Sequence, residues 1–325
     1  MKEARFYEKQ DDVVICKLCP RNCKIAEGKR GACGVREVRN SKLYSLVYGK
    51  IAAINVDPIE KKPFFHFHPG SKTLSFGTVG CNFFCPFCCN WELSRSKEIE
   101  GIEIPPEQAI ELANRYWVDG LSFTYNEPTV FFEWASDVAK KKGNLYATFV
   151  TNGYTGEEAA KEATTFLDAA VVDFKTFNPD FYKKYILADI EPCIRTLKLY
   201  AKKIWVEVTL LYIPKHTDLQ QVVELAELIA SIRKSIPLHV IRFHPYYRFS
   251  NYPQTPVEEL EKAREKAAEM LDYVYIGNVP GHEFENTYCH NCGKRLIKRF
   301  GFYVLENLVE NGKCPYCGAK IPGVW

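Results

Sequence analysis

The stretch GTVGCNFFCPFCCNWELS, Gly77 to Ser94, places Cys81, Cys85, Cys88 and Cys89 within nine residues. The first three stand in CxxxCxxC spacing directly after KTLSFGTV (72–79), a run that reads as a β-strand. Three thiolates on a loop of this length wrap three corners of an iron–sulfur cubane and leave one iron open, whereas four would saturate it. An open iron can bind a substrate or cofactor directly, as the open position of a catalytic zinc does. A structural zinc here would need a fourth ligand. Cys89 suits that role poorly, because the side chains of neighbouring residues diverge.

Nine further cysteines complete a total of 13 in 325 residues: four at 16, 19, 23 and 33, four at 289, 292, 314 and 317, and Cys193 alone. The N-terminal run MKEARFYEKQDDVV is charged throughout and lacks the apolar core of a secretory signal, so a cytoplasmic, reducing location is expected. There, grouped cysteines are metal ligands or redox groups rather than disulfides. Nothing approaches the ~20 apolar residues of a membrane span, so no membrane partner is expected. The 43 basic and 40 acidic residues leave a net charge of +3, too small for a general attraction to nucleic acid.

Between the second and third cysteine groups, β-branched runs alternate with segments of helical period. Strands are predicted at 72–79, 120–125, 145–151, 169–175, 204–213, 238–244 and 273–276, and helices at 105–117 and 128–143. Thr217 with Gln220, and Thr255-Pro256 with Glu258, read as capping boxes opening two more helices. Leu219, Val222, Val223, Ala226 and Ile229 give the first of these an apolar face. This alternation builds an α/β fold with a parallel sheet. Period-two alternation groups Ser122, Thr124 and Asn126, Asp173 with Lys175, Glu207 with Thr209, and Arg242 with His244, opposite Val172, Phe174, Val206, Val208, Leu210, Ile241 and Phe243. Successive strands with one polar face cannot all be edges. A barrel-like sheet around a polar, ligand-sized interior is therefore expected.

The chain resembles the radical S-adenosylmethionine (SAM) superfamily, whose signature is CxxxCx(aromatic)C after the first strand of a partial (β/α)6 barrel; Phe87 fills the aromatic place. The resemblance implies a TIM-like barrel and a [4Fe-4S] cluster on Cys81, Cys85 and Cys88. It implies that TYNEP (124–128) presents Asn126 and Glu127 to SAM's amino group. TNG (151–153), with Thr151 and Asn152, and DFK (173–175), with Asp173 and Lys175, match segments that flank SAM in glycyl-radical activating enzymes. IGNVPG (276–281), with Gly277 and Asn278, resembles the stretch near the adenine. CKLCPRNC, DPIEKKPFFHFHPGS, FTYNEPT, IRFHPYYR and GNVPGHEFENTYCHNCG look more narrowly like the AmmeMemoRadiSam system branch, homologous to the pyruvate formate-lyase activating enzyme. Cys89 departs from that branch, where Gln is usual. The implied chemistry is reductive cleavage of SAM to methionine and a 5′-deoxyadenosyl radical that takes hydrogen from a substrate. The electron donor would be a ferredoxin or flavodoxin. Blander roles stand beside these: a helix-start acid for Glu127, an internal ion pair for Asp173 and Lys175, and a structural histidine rather than a catalytic one for His244. His66 and His68 read as packing residues.

Cys289, Cys292, Cys314 and Cys317 form two CxxCG knuckles 21 residues apart, the pattern of a zinc ribbon or a rubredoxin-like site. Cys16, Cys19, Cys23 and Cys33 are read as a second structural zinc, with an auxiliary iron–sulfur cluster as the alternative. Three segments result: a Cys-rich metal-binding extension over 1–65, the barrel over 66–284 and the ribbon over 285–325. The substrate implied by resemblance is another protein, at a backbone glycine. A small metabolite or RNA base is the runner-up. A non-catalytic ribbon protein binding RNA through GKRLIKRF (293–300) is the rival of another class.

Overall fold

The computed structural model describes all 325 residues. Its central sheet has eight strands: β1 (Ala53–Pro58), β2 (Lys72–Gly77), β3 (Gly120–Phe123), β4 (Tyr146–Thr151), β5 (Ala169–Phe174), β6 (Trp205–Tyr212), β7 (Leu238–Arg242) and β8 (Val274–Gly277). They neighbour one another in chain order, β2 to β8 all parallel, with β1 antiparallel on the outer edge of β2. The ladder ends at β8 and β1 without closing. The partial TIM-like barrel expected from the sequence is thus present, with seven parallel strands where the six-unit pattern has six. The strand β1 escapes sequence reading because it exposes Val56 and carries Asn55 and Asp57.

Helices α1 (Pro106–Arg115), α2 (Phe132–Ala139), α3 (Glu157–Ala163), α4 (Glu191–Ala201), α5 (Leu219–Ile232) and α6 (Val257–Ala268) return the chain between parallel strands. On α5, Val222, Leu225, Ala226 and Ile229 are buried as the helical period requires, while Leu219 stays exposed. Neither expected capping box forms. Asp218, not Thr217, caps α5, accepting from the Gln221 N–H at 2.9 Å. Thr255 turns inward instead, accepting from the Phe243 N–H at 3.0 Å and donating to the Tyr212 carbonyl at 2.6 Å. In both cases a buried backbone group outcompetes the helix end for the threonine hydroxyl.

The barrel interior is layered. Its floor is apolar, built by Ile59, Phe64, Phe67, Tyr146, Ala169 and Val171. Above it Thr73, Ser122 and Thr148 hydrogen-bond in a row, 2.8 Å apart. Glu207, fully buried, accepts from the N–H groups of Phe65 (3.0 Å) and His66 (2.8 Å) and lies 2.7 Å from His239 Nε2. The polar interior thus exists, with one register correction on β7. His239 and Ile241 face inward, Leu238 and Val240 join the outer core, and the Arg242 guanidinium turns to the Thr255 carbonyl. The polar side chain that identifies the inner face of β7 is His239, one residue out of phase with the Arg242–His244 pair.

Two short three-stranded sheets make up residues 2–45. At the other end β9 (Thr287–Tyr288), β10 (Arg295–Phe300) and β11 (Tyr303–Asn307) form an antiparallel sheet. It packs closely on the barrel. Buried Arg299 donates to the Phe65 carbonyl at 2.8 Å, His66 Nδ1 lies 2.7 Å from the Pro322 carbonyl, and Val324 bridges to Phe67. His66 also meets the Tyr275 hydroxyl at 2.6 Å, and His68 stacks on Tyr146, so both are packing residues.

Candidate active site

The loop after β2 carries Cys81, Cys85 and Cys88, and its path is fixed by side chains from neighbouring strand ends. Asn126 laces it. Its Nδ2 donates to the Gly80 carbonyl at 2.7 Å and to Thr78 Oγ1 at 3.1 Å, and its Oδ1 accepts from the Thr78 N–H at 3.1 Å. Asn152 Nδ2 donates to Asn82 Oδ1 at 2.9 Å, and Asn82 Nδ2 to the Tyr154 carbonyl at 2.8 Å. Behind them Glu127 is 2% exposed and accepts four hydrogen bonds: from the Thr129 N–H (3.0 Å) and hydroxyl (2.7 Å), the Thr151 hydroxyl (2.7 Å) and the Asn152 N–H (2.8 Å). Burial nonetheless pushes its carboxyl above the usual range. TYNEP and TNG are therefore one network under the cysteine loop, with Asn82 and Thr129 as members the sequence did not single out.

Tyr125, between Thr124 and Asn126, has φ +68°, a conformation costly for a bulky residue. It is held there by its hydroxyl, which donates to Asp57 at 2.6 Å, and by Asn90 Nδ2, which donates to its carbonyl at 2.7 Å. Asp57 in turn receives the ammonium of Lys62, 3% exposed, at 2.8 Å. This explains why charged residues of DPIEKK are buried against the barrel.

No three sulfurs of Cys81, Cys85, Cys88 and Cys89 lie within 4.8 Å of one another. The loop thus lacks the compact set that one shared ion gathers, and three ligands can each take a separate iron of a cubane. The Phe83 N–H donates to Cys81 Sγ at 3.4 Å, and the Ser94 hydroxyl lies 3.5 Å from Cys88 Sγ, polar contacts of the kind that tune thiolate ligands. Phe87 is buried against Phe181 and Phe249. The donor set and its apolar backing thus fit a cluster with one open iron.

Beside the loop opens a cavity of about 940 Å³, lined among others by Cys89, Asp173, Thr209, His239, Gly277 and Asn278. Asp173 is paired with the Lys175 ammonium and receives the Thr209 hydroxyl. Burial opposes the charge on Lys175, but the Asp173 carboxylate beside it holds its pKa well above the ordinary value. The internal ion pair is thus present, and it stands next to the cysteine loop. A Cβ added at Gly277 would come 2.4 Å from the terminal methyl of Ile241, which would have to shift, so glycine keeps the backbone open beside the cavity. Asn278 donates to the Arg242 carbonyl at 3.2 Å. His244 lines the rim, 2.5 Å from the Gln254 amide nitrogen. Gly277 and Asn278 belong to this far wall and do not touch the Glu127 network.

The rim also includes Phe300, Gly301, Phe302 and Tyr303, the turn between β10 and β11. Sequence reading missed them because nothing in the tail's local pattern says that it folds back over the barrel. The four C-terminal cysteine sulfurs lie within 4.8 Å of one another, with Cys289–Cys317 and Cys292–Cys314 at 3.7 Å. A tetrahedron with ~2.3 Å Zn–S bonds has edges of about 3.8 Å, so this set fits one zinc ion.

Residues 76–229 match the family model of the radical SAM superfamily. An uncharacterised protein of Methanocaldococcus jannaschii is 47% identical over 335 aligned positions, covering 99% of each chain. A second uncharacterised protein of that organism is 24% identical over 277 positions, 80% of this chain and 76% of its own. The crystal structure of Streptococcus suis SuiB bound to S-adenosylmethionine shares the fold over 71% of this chain and 56% of that one, with a TM-score of 0.51 at 13% identity. No helix is long and apolar enough to cross a membrane.

Proposed function

The chain belongs to the radical SAM superfamily, and we propose that Cys81, Cys85 and Cys88 hold its [4Fe-4S] cluster and that SAM binds between that cluster and the wall carrying Asp173, Gly277 and Asn278. The observation that carries this reading is the three-cysteine loop, braced by Asn126 and Asn152 and opening beside the large cavity. When bound, the reduced cluster supplies one electron that breaks the S–C5′ bond of SAM, giving methionine and a 5′-deoxyadenosyl radical that takes a hydrogen atom from substrate.

The protein's own residues bind, orient and exclude water. Asn126 and the Glu127 network fix the loop on which the amino group of SAM would dock. Lys175, kept protonated by Asp173, supplies a cation for SAM's carboxylate beside Cys85. Gly277 and Asn278 leave a bare, polar edge for the adenine. The apolar floor under Thr73, Ser122 and Thr148 closes the barrel to solvent from below. The ribbon cysteines hold a structural zinc that keeps the aromatic turn at the rim.

The substrate class favoured is a polypeptide, with hydrogen abstraction at a backbone glycine as in the activating enzymes the sequence resembles. The cavity mouth supports this, because its exposed Tyr246, Phe302 and Tyr303 leave room and apolar surface for an extended segment. The electron comes from a one-electron donor of the ferredoxin or flavodoxin class. The test is electron paramagnetic resonance of the dithionite-reduced protein before and after adding SAM. A SAM-dependent change of the cluster signal, absent in Cys85→Ala, is expected; an unchanged signal in the loaded wild type refutes SAM binding at this cluster. A carbon-centred glycyl radical on an added partner would establish the substrate class, and hydrogen transfer into 5′-deoxyadenosine from a deuterated metabolite alone would overturn it.

A further inference from the structure

We propose that Cys16, Cys19, Cys23 and Cys33 hold a second, fully ligated [4Fe-4S] cluster packed against the back of the Cys81 loop, rather than a zinc ion. All four cysteines line one narrow cavity between the small N-terminal sheets and the barrel. Cys16 ends one strand (Val13–Cys16), Cys23 immediately precedes the next (Lys24–Ala26), and the Cys16 N–H donates to the Cys23 carbonyl at 3.0 Å. Two ligands are thereby fixed by one ladder, and Cys19 and Cys33 close around them from loops.

The spacing of the sulfurs separates the two metals. One zinc ion draws four thiolates to tetrahedral edges of about 3.8 Å, and the C-terminal set shows that spacing, with pairs at 3.7 Å. The N-terminal four do not form such a compact set, although all four line the same cavity. Thiolates that each bind a different iron of a cubane need not gather so closely. With four ligands no iron is left open, so this site differs in kind from the three-cysteine loop.

The walls suit an anionic, water-excluded occupant. Leu18, Ile25 and Val130 supply apolar surface. Arg36, 1% exposed, lines the cavity with its Nε–H buried and unpartnered, although the same guanidinium pairs with Glu133 at 2.5 and 2.7 Å. A buried, unsatisfied charged donor is costly unless something accepts from it. The sulfurs of a cluster would do so. The Ala32 N–H already donates to Cys23 Sγ at 3.5 Å.

The two cysteine loops touch. Gly80, with φ +88°, lies so close to the N-terminal group that an added Cβ would come within 2.7 Å of the Cys33 carbonyl and 2.5 Å of Val35. Arg21 donates to the Asn82 carbonyl at 2.5 Å, and Asn82 itself lines the cavity. The second site is therefore built against the residues that flank Cys81, which gives the N-terminal extension a place in the metal centre.

The test is metal analysis with Mössbauer spectroscopy after anaerobic reconstitution of the full chain, of Cys81→Ala/Cys85→Ala/Cys88→Ala, and of Cys16→Ala/Cys19→Ala/Cys23→Ala/Cys33→Ala. The expected contents are about eight irons and about one zinc per wild-type chain, and about four irons as [4Fe-4S] in each variant. About four irons and about two zinc ions in the wild type would overturn the assignment, and that count holds even if a variant does not fold. The outcome is separable from SAM cleavage: the iron of the variant lacking Cys81, Cys85 and Cys88 does not depend on whether the remaining loop can bind SAM.

Discussion

Asn126 shows how much of the site rests on one amide: three of its contacts hold residues 78–80, the approach to Cys81. Asn126→Ala leaves buried backbone groups unsatisfied and is expected to lower iron occupancy and to raise the KM for SAM about tenfold, equivalent to ~1.4 kcal/mol. Iron analysis and initial rates of SAM cleavage check this. Glu60, on the cavity wall, has a carboxylate oxygen with no partner, and burial pushes its pKa from 4.5 to about 7. Arg299, 3.8 Å away, is itself lowered by burial, so desolvation outweighs the attraction of the pair. The folded state thus holds this proton more tightly than the unfolded chain does. Its contribution is complete below pH 4.5 and is lost as pH rises to about 7, by about 3 kcal/mol. Glu60→Gln should gain thermal stability over wild type at pH 8 and not at pH 4.5; parallel pH curves would contradict this. The three-cysteine loop was legible as a candidate because its spacing lies within nine residues of sequence. The four donors to Glu127 were not, because Thr151 and Asn152 reach it from another strand.

At the scale of elements, sequence patterning located all seven parallel strands, since their outer faces are largely apolar. It slipped one residue on β7 because Arg242, the last residue of the strand, and His244, just beyond it, imitate a polar inner face. The threonine caps failed for a related reason: a hydroxyl near a helix start cannot be assigned to it from sequence when a buried carbonyl or N–H competes. Glu207 ties several elements together, joining β6 to β7 through His239 and to the segment 65–66 through two N–H groups. Burial alone would raise its pKa, but His239 and these donors hold it below the ordinary value. Glu207→Ala leaves them unsatisfied and should destabilise the protein by about 3 kcal/mol. The fall in melting temperature of loaded protein measures it.

Over the whole molecule, the three cysteine groups recognised in the sequence converge on one barrel from both ends of the chain. The N-terminal group packs behind the Cys81 loop, and the C-terminal sheet folds back so that Phe300–Tyr303 rims the cavity. That return was illegible because it is made by long-range contacts, Arg299 to Phe65 and Val324 to Phe67. Losing the ribbon's metal should therefore be felt at the cavity. Cys317→Ser is expected to lose about one zinc per chain and to open residues 300–303 to proteolysis, with SAM still cleaved. The measurement that bears most directly on the central claim is anaerobic reconstitution, reduction with dithionite and quantification of 5′-deoxyadenosine from SAM. The expected result is formation by the loaded wild type and none by Cys85→Ala; no product from a fully loaded wild type, or undiminished product from Cys85→Ala, would contradict it.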